Sequence, residues 1–365
     1  MSEVVEEWDK VAVAAGEPYC APGWMLSWWH HAAPAGARLR VAVAHDAERL
    51  VGIASFYGER RFGALEWLRP LAAPVAHRVG PVCLPGRETV VAEPLAHALA
   101  SAQPRPSLLT FDGVPSASPW PRLLATAWPQ RTLLHHRPQQ NLAPIVELSE
   151  PDFDAWLNGR SANFRQQTRR TRRKLEAAGA RFRRIDGVAV VAALDDFARL
   201  HRSRWAWRGG SAALGDGVEE MLRAAAAALA VQQRLWLWSI EAEDKLISAH
   251  LFVGAGDQAI YWLGGHDEAW DAYRPGLQAL VAAIEDGFAH GVARLDLGPG
   301  AQDYKLRLTD AADTLEFVSL APWGRGFPLA RAMLAARDGR RAAQGALDRF
   351  RATAGPRAQG PVAIL

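Results

Sequence analysis

The apolar positions fall into two recurring patterns. Along 38–58 (RLRVAVAHDAERLVGIASFYG) hydrophobic and polar residues alternate, break at an acidic turn closed by a cation (Glu48-Arg49), and resume to a glycine. This period of two predicts a β-hairpin. Residues 234–254 (RLWLWSIEAEDKLISAHLFVG) align on the first stretch without a gap, with their own turn at Asp244-Lys245. A second echo follows each hairpin, LLTFDG at 108–113 and RLDLG at 294–298. Two echoes in the same order point to one unit present twice.

Elsewhere the period lengthens to that of a helix. A proline-led segment, Pro22-Gly23-Trp24 with Trp28-Trp29, predicts an early helix whose indoles pack into a core. Further helices are expected at 90–101, 120–128, 152–178, 191–205 and 218–232. Residues 137–150 read as a crossing strand or linker. Strands are expected at 107–112, 181–185, 235–240, 246–253, 258–264 and 294–297. The best-specified helix spans 276–290: Leu277, Leu280, Val281, Ile284 and Phe288 share one face, and Gly291 supplies the stop. An arginine- and alanine-rich amphipathic helix is expected over 328–350. The pattern predicts a mixed α/β fold divided at 1–150, 151–322 and a tail, 323–365.

At 365 residues, 49% of them hydrophobic, the chain can bury the cores of two domains. No apolar run reaches membrane-spanning length, and the N-terminus is acidic (Glu3, Glu6, Glu7), so a cytoplasmic protein is expected. Cys20 and Cys83 show neither metal-ligand spacing nor a disulfide framework, so no metal site is expected. A net charge of +3 does not by itself imply a nucleic-acid partner, and no DNA is expected.

Three features carry candidate chemistry. Arg274-Pro275-Gly276-Leu277 enters the best helix from a strand, which offers free N–H groups and a favourable dipole to an anion. Residues 165–174 hold six cations and no acid, with Arg165, Arg169 and Arg172 on one stripe; beside a cleft this face would attract a phosphate-bearing substrate. His201, Arg204, Trp205 and Arg208 share a helical face, where an aromatic between arginines could stack on a sugar ring and grip its phosphates.

The order hairpin, strand, His266-Asp267 through Tyr273 and Pro275-Gly276-Leu277, helix, Leu-Asp strand and Tyr304-Lys305 resembles the GNAT acyltransferase superfamily. In particular it resembles the cellulose-biosynthesis-type (CelD-like) branch related to the Fem peptidoglycan aminoacyltransferases. The segments FRQQTRRTRRK (164–174), LHRSRW (200–205) and Pro22-Gly23-Trp24 support this over nearly the whole chain. The resemblance implies two tandem GNAT-like domains with a substrate cleft between them. It implies an acetyl-CoA or other acyl-CoA donor, its pyrophosphate at Arg274, Gly276 and Leu277 and its arm in a splay between 261–264 and 295–297. It places Lys305 as an oxyanion or phosphate ligand and Tyr304 as a general acid. Two further catalytic candidates come from position alone: His250, on a strand among small and apolar neighbours, and Asp267, preferred to His266 at the strand exit because an acid there could orient an amine or cap the following turn. The implied acceptor is an amino sugar or a lipid-linked precursor of surface polysaccharide, met at the inner face of the membrane. The helix entry carries one glycine where the acetyl-CoA loop of the family has a second small residue, which keeps a Fem-like aminoacyl-tRNA donor as an alternative. A non-catalytic nucleotide effector using the arginines of 325–351 is the third reading.

Overall fold

The computed structural model describes residues 3–206, 212–215, 217–309 and 311–353. Two helices open the chain, α1 (Glu3–Ala14) and α2 (Pro22–His31), and bury Trp8, Trp24 and Trp28. The hairpin β1 (Arg38–Asp46) and β2 (Arg49–Arg61) follows, then β3 (Leu65–Pro70) and β4 (Val82–Cys83). α3 (Glu88–Ser101), β5 (Leu108–Pro115), α4 (Trp120–Ala127) and the long β6 (Thr132–Glu147) complete the first half. The second half runs through α5 (Phe153–Asn158), α6 (Ala162–Ala177), β7 (Arg181–Ile185), α7 (Ala189–Ala206) and α8 (Val218–Leu229). The meander β8 (Leu235–Ala242), β9 (Lys245–Ala255) and β10 (Gln258–His266) leads to α9 (Pro275–Ala289), β11 (Arg294–Asp296), α10 (Asp303–Leu306), β12 (Ala311–Pro322) and α11 (Phe327–Thr353). Among the described residues no helix is long and apolar enough to cross a membrane.

The two hairpins are equivalent in detail. Arg38 pairs with Gly58, and the Gly254 N–H bonds the Arg234 carbonyl, so the gapless alignment preserves the register. Each ladder shifts register at the same aligned step, Ala44/His45 in one and Ile240/Glu241 in the other. Such a bulge increases local twist and re-aims the strand. Each hairpin is then extended by an antiparallel strand, β3 or β10, and a parallel one, β5 or β11.

The last strands are exchanged. β6, the final strand of the first half, pairs with β11; β12, the final strand of the second half, pairs with β5 and with β6. All strands therefore join one mixed sheet, β1-β2-β3-β5-β12-β6-β11-β10-β9-β8-β7, with β4 on β2. The sheet runs across the division expected at residue 150. Helices also cross the seam: α2 packs so tightly on α8 that a Cβ on Gly23 would stand 2.8 Å from a Leu229 methyl carbon.

Two expectations are corrected. The helix over 152–178 is two helices, because Asp152 caps α5 by accepting from the Ala155 N–H (2.8 Å) and Ser161 caps α6 by accepting from the Phe164 N–H (3.3 Å). β12 was not expected, since Asp313, Thr314 and Glu316 interrupt its apolar alternation.

Candidate active site

β10 and β11 pair only over three positions, Gln258 to Arg294, Ala259 to Leu295 and Ile260 to Asp296, and then part. Leu295, expected in the splay, is still paired; the opening starts at Tyr261 and Leu297. Two contacts drive the strands apart. β10 shifts register against β9 between Tyr261 and Leu263, while Leu297 stays with the first half by donating its N–H to the Pro144 carbonyl (2.9 Å). The resulting cavity, about 830 Å³, has apolar walls from Leu263, Leu277, Leu280 and Leu297 and a polar rim of histidines and cations.

The N-terminus of α9 lines this cavity. Arg274 takes the left-handed conformation (φ 48°) as the N-cap, Pro275 has no N–H, and the Gln278 N–H donates to the Arg274 carbonyl (3.1 Å). Gly276 and Leu277 thus hold the N–H groups that precede the helical ladder. Gly276 is close to two imidazoles: a Cβ there would lie 3.1 Å from His266 Nδ1 and 3.6 Å from His250 Nε2. Gly264 is tighter still, its Cβ position being 2.4 Å from His250 Nδ1.

His250 is 4% exposed, and neither ring nitrogen has a hydrogen-bond partner. Burial pushes its imidazole down to about 3, helped by His266 and Arg204. It is a neutral ring at the cavity floor. His266 sits between Arg204 Nη1, 2.6 Å from its Nδ1, and Asp271 Oδ1, 2.8 Å from its Nε2. A guanidinium only donates, so Nδ1 accepts and Nε2 carries the proton towards Asp271. Burial and Arg204 lower the pKa of His266 against the opposing pull of Asp271.

α10 brings Tyr304 and Lys305 to the same cavity. The Lys305 ammonium donates to the carbonyls of Gly298 (3.1 Å) and Pro299 (3.0 Å), and burial lowers its pKa to about 8. Two of its N–H groups are thus committed, and one remains for a ligand. Burial raises the Tyr304 phenol, so it stays protonated at neutral pH. The same loop is held from below, where Asp296 accepts from the Gly298 N–H (2.6 Å), from Arg78 Nε (2.5 Å) and across 3.1 Å from His77 Nε2. Burial alone would raise this carboxyl, but His77, Arg78 and the Gly298 N–H hold it well below the usual carboxylate range.

A second cavity of about 560 Å³ lies at the junction of the halves and shares Trp262, Leu263 and Pro299 with the first. Tyr19, Arg69, His77, Asp112 and Arg337 also line it. Arg69 donates from Nε (3.2 Å) and Nη2 (2.7 Å) to the single oxygen Asp112 Oδ2 and lies over the Trp67 ring at 5.2 Å.

Of the residues singled out from sequence, His201, Arg204, His250, Arg274, Gly276, Leu277, Tyr304 and Lys305 line the first cavity. Asp267 does not: its carboxylate caps the turn after β10 by accepting from the Ala269 N–H (3.0 Å). Arg165 donates to the carbonyls of Asn158 and Arg160 and ties the α5–α6 turn. Arg169 is exposed, 3.8 Å from Asp154. The side chain of Trp205 and the whole of Arg208 lie outside the described residues. Sequence reasoning missed Asp271, Asp296 and Arg307. An acid inside the apolar strand RLDL was the available signal for Asp296, because a buried carboxylate requires partners.

Residues 162–306 match the profile of the acetyltransferase (GNAT) domain family. No curated protein matches the chain. Among solved structures, a crystal structure of FemX superposes with a TM-score of 0.63 at 13% identity, covering 87% of this chain and 96% of that one. The C-terminal domain of a putative lysylphosphatidylglycerol synthetase from Agrobacterium fabrum gives 0.59 at 12% identity, covering 92% and 95%. L-PGS from Bacillus licheniformis gives 0.55 at 10%, covering 92% and 96%. At such identities the likeness establishes the fold of the whole chain, while the profile match identifies the half that holds the first cavity. Residues 162–306 thus match a GNAT acetyltransferase domain, within a chain that shares the fold of these structures.

Proposed function

We propose that this chain transfers an acyl group from an acyl-CoA to the amine of an amino sugar or of a lipid-linked saccharide precursor of surface polysaccharide. The observation that carries the donor half of this reading is the first cavity itself. It is an apolar-walled cavity between parted strands, lined by a helix N-terminus suited to a pyrophosphate and by a buried ammonium. The acceptor enters from the second cavity, whose aromatic and guanidinium walls suit a sugar ring bearing phosphate. The two substrates meet at the shared wall of Trp262 and Pro299.

The free amine attacks the thioester carbonyl, and the third N–H of Lys305 bonds the oxygen as negative charge develops on it. The C–S bond then breaks. Tyr304 gives its proton to the departing sulfur and regains one from the acylated nitrogen, whose acidity has risen sharply on forming the new bond. The Asp296 network and the Lys305 contacts hold the 298–299 backbone fixed through these steps.

An aminoacyl-tRNA donor is favoured by a different observation, the exposed Arg169, Arg170 and Arg173 on α6. One assay separates the two. The protein is titrated with acetyl-CoA and longer acyl-CoAs in a thermal-shift experiment, and positives are incubated with UDP-amino sugars while free thiol is followed. A rise in melting temperature with acyl-CoA and thiol release dependent on the amino sugar are expected. Stabilisation by tRNA that weakens steeply with salt, and none by acyl-CoA, would replace the donor.

A further inference from the structure

Beside the first cavity lies a smaller one, about 470 Å³, which shares two lining residues with it, Arg274 and Arg307. Its lining is polar and one-signed: Arg160, Arg274 and Arg307 with Ser161, Asn163 and Gln167, and no carboxylate among the described lining residues. Arg274 is steered towards it by donating to Gln167 Oε1 (3.2 Å). Arg307, exposed on the turn after α10, forms no ion pair among the described residues. The backbone of the α5–α6 turn makes the far wall and is clamped by Arg165, which bonds the carbonyls on both sides of Gly159. Guanidinium groups suit a phosphate because their paired N–H groups match its oxygens, and a cavity whose described lining has cations and no acids has already selected the sign of its ligand.

From this arrangement we infer that the small cavity is a phosphate subsite for the donor, seating a phosphomonoester that lies beyond the pyrophosphate. The inference rests on the donor reading above for its direction: the arm occupies the first cavity, the pyrophosphate sits at Gly276 and Leu277, and the chain of the ligand leaves past Arg274 and Arg307. In an acyl-CoA the group that follows is the 3′-phosphate of the adenosine. In a tRNA it is a backbone phosphate. The chemistry recognised is the same, and the cavity fixes the charged end of the donor independently of the acyl group.

The test compares CoA with 3′-dephospho-CoA by calorimetric titration at low salt, on the full chain and on Arg307→Gln. The intact protein is expected to bind CoA roughly ten-fold more tightly, the order of one charge-assisted contact. In Arg307→Gln the gap closes, because CoA weakens while dephospho-CoA binds as before. Equal binding of the two ligands by the intact protein overturns the subsite and leaves the donor reading standing. If neither CoA species binds, the donor reading fails, and tRNA becomes the phosphate probe. A tRNA affinity that falls in Arg307→Gln then supports the subsite, whereas one that is unchanged, or no binding at all, overturns it.

Discussion

Lys305 Nζ lies 3.0 Å from the carbonyl oxygen of Pro299, so the ammonium that faces the cavity also fixes the backbone on which the scissile bond would rest. Lys305→Ala is expected to lower kcat by about two orders of magnitude, comparable with removing one oxyanion donor, with KM for the acceptor nearly constant. Lys305→Arg keeps the charge in a different shape, and partial recovery would assign the effect to electrostatics. Steady-state kinetics with the true acceptor decide; full activity in Lys305→Ala removes the assignment.

In the proposed reaction Lys305 acts in its protonated form, and burial has lowered its pKa to about 8. Turnover should therefore decline as pH rises through about 8, rather than near the ordinary lysine value. A kcat–pH profile flat to pH 10 would show that this charge takes no part in the rate.

Gly276 brings backbone close to the space a pyrophosphate would fill, and its missing Cβ would stand 3.1 Å from His266 Nδ1. Gly276→Val should weaken CoA binding at least ten-fold while leaving the far-UV circular dichroism unchanged. Unaltered affinity in a folded variant places the donor elsewhere.

His250 should contribute to acid lability. Its folded pKa, about 3, lies below the unfolded value near 6.5, so the unfolded state binds the extra proton between these limits and stability falls as pH drops through that window. The slope from this one ring approaches roughly 1.4 kcal/mol per pH unit. Urea denaturation of His250→Asn at pH 7, 5 and 4 should show a shallower loss than the parent. Parallel curves would mean that the ring gains solvent or a partner.

Asp296→Ala leaves Arg78 and His77 without the carboxylate they share across the halves. Removing one member of a buried ion pair costs about 3–5 kcal/mol, and the fall in melting temperature should exceed that of a surface control such as Arg181→Ala. A variant as stable as the parent would show that Asp313, which also accepts from Arg78 (2.6 Å), suffices.

Much of this was legible in the sequence. The hairpins at Arg38–Gly58 and Arg234–Gly254 were visible because a period of two leaves little choice of face, and their alignment extends to the bulges. The exchange of β6 and β12 was not. Hydrophobic alternation specifies which face of a strand is buried, not which neighbour it takes, and either pairing buries Val318 and Leu320. The cavity residues of α9 and α10 followed from order along the chain. The choice between His266 and Asp267 did not, because neighbours at a strand exit point to opposite sides and only the register says which side is the cavity.

The exchanged strand also sets a timetable for synthesis. β5 and β6 leave the ribosome long before β12 exists, yet β12 is the strand that belongs between them. At about 5–20 residues per second the first half waits on the order of 10–30 s with the flanks of β5 and β6 that face β12 open. Such flanks are templates for pairing with other chains. Nascent chains halted before residue 311 should therefore be the form of this protein that most needs a chaperone, and the finished chain should need one least.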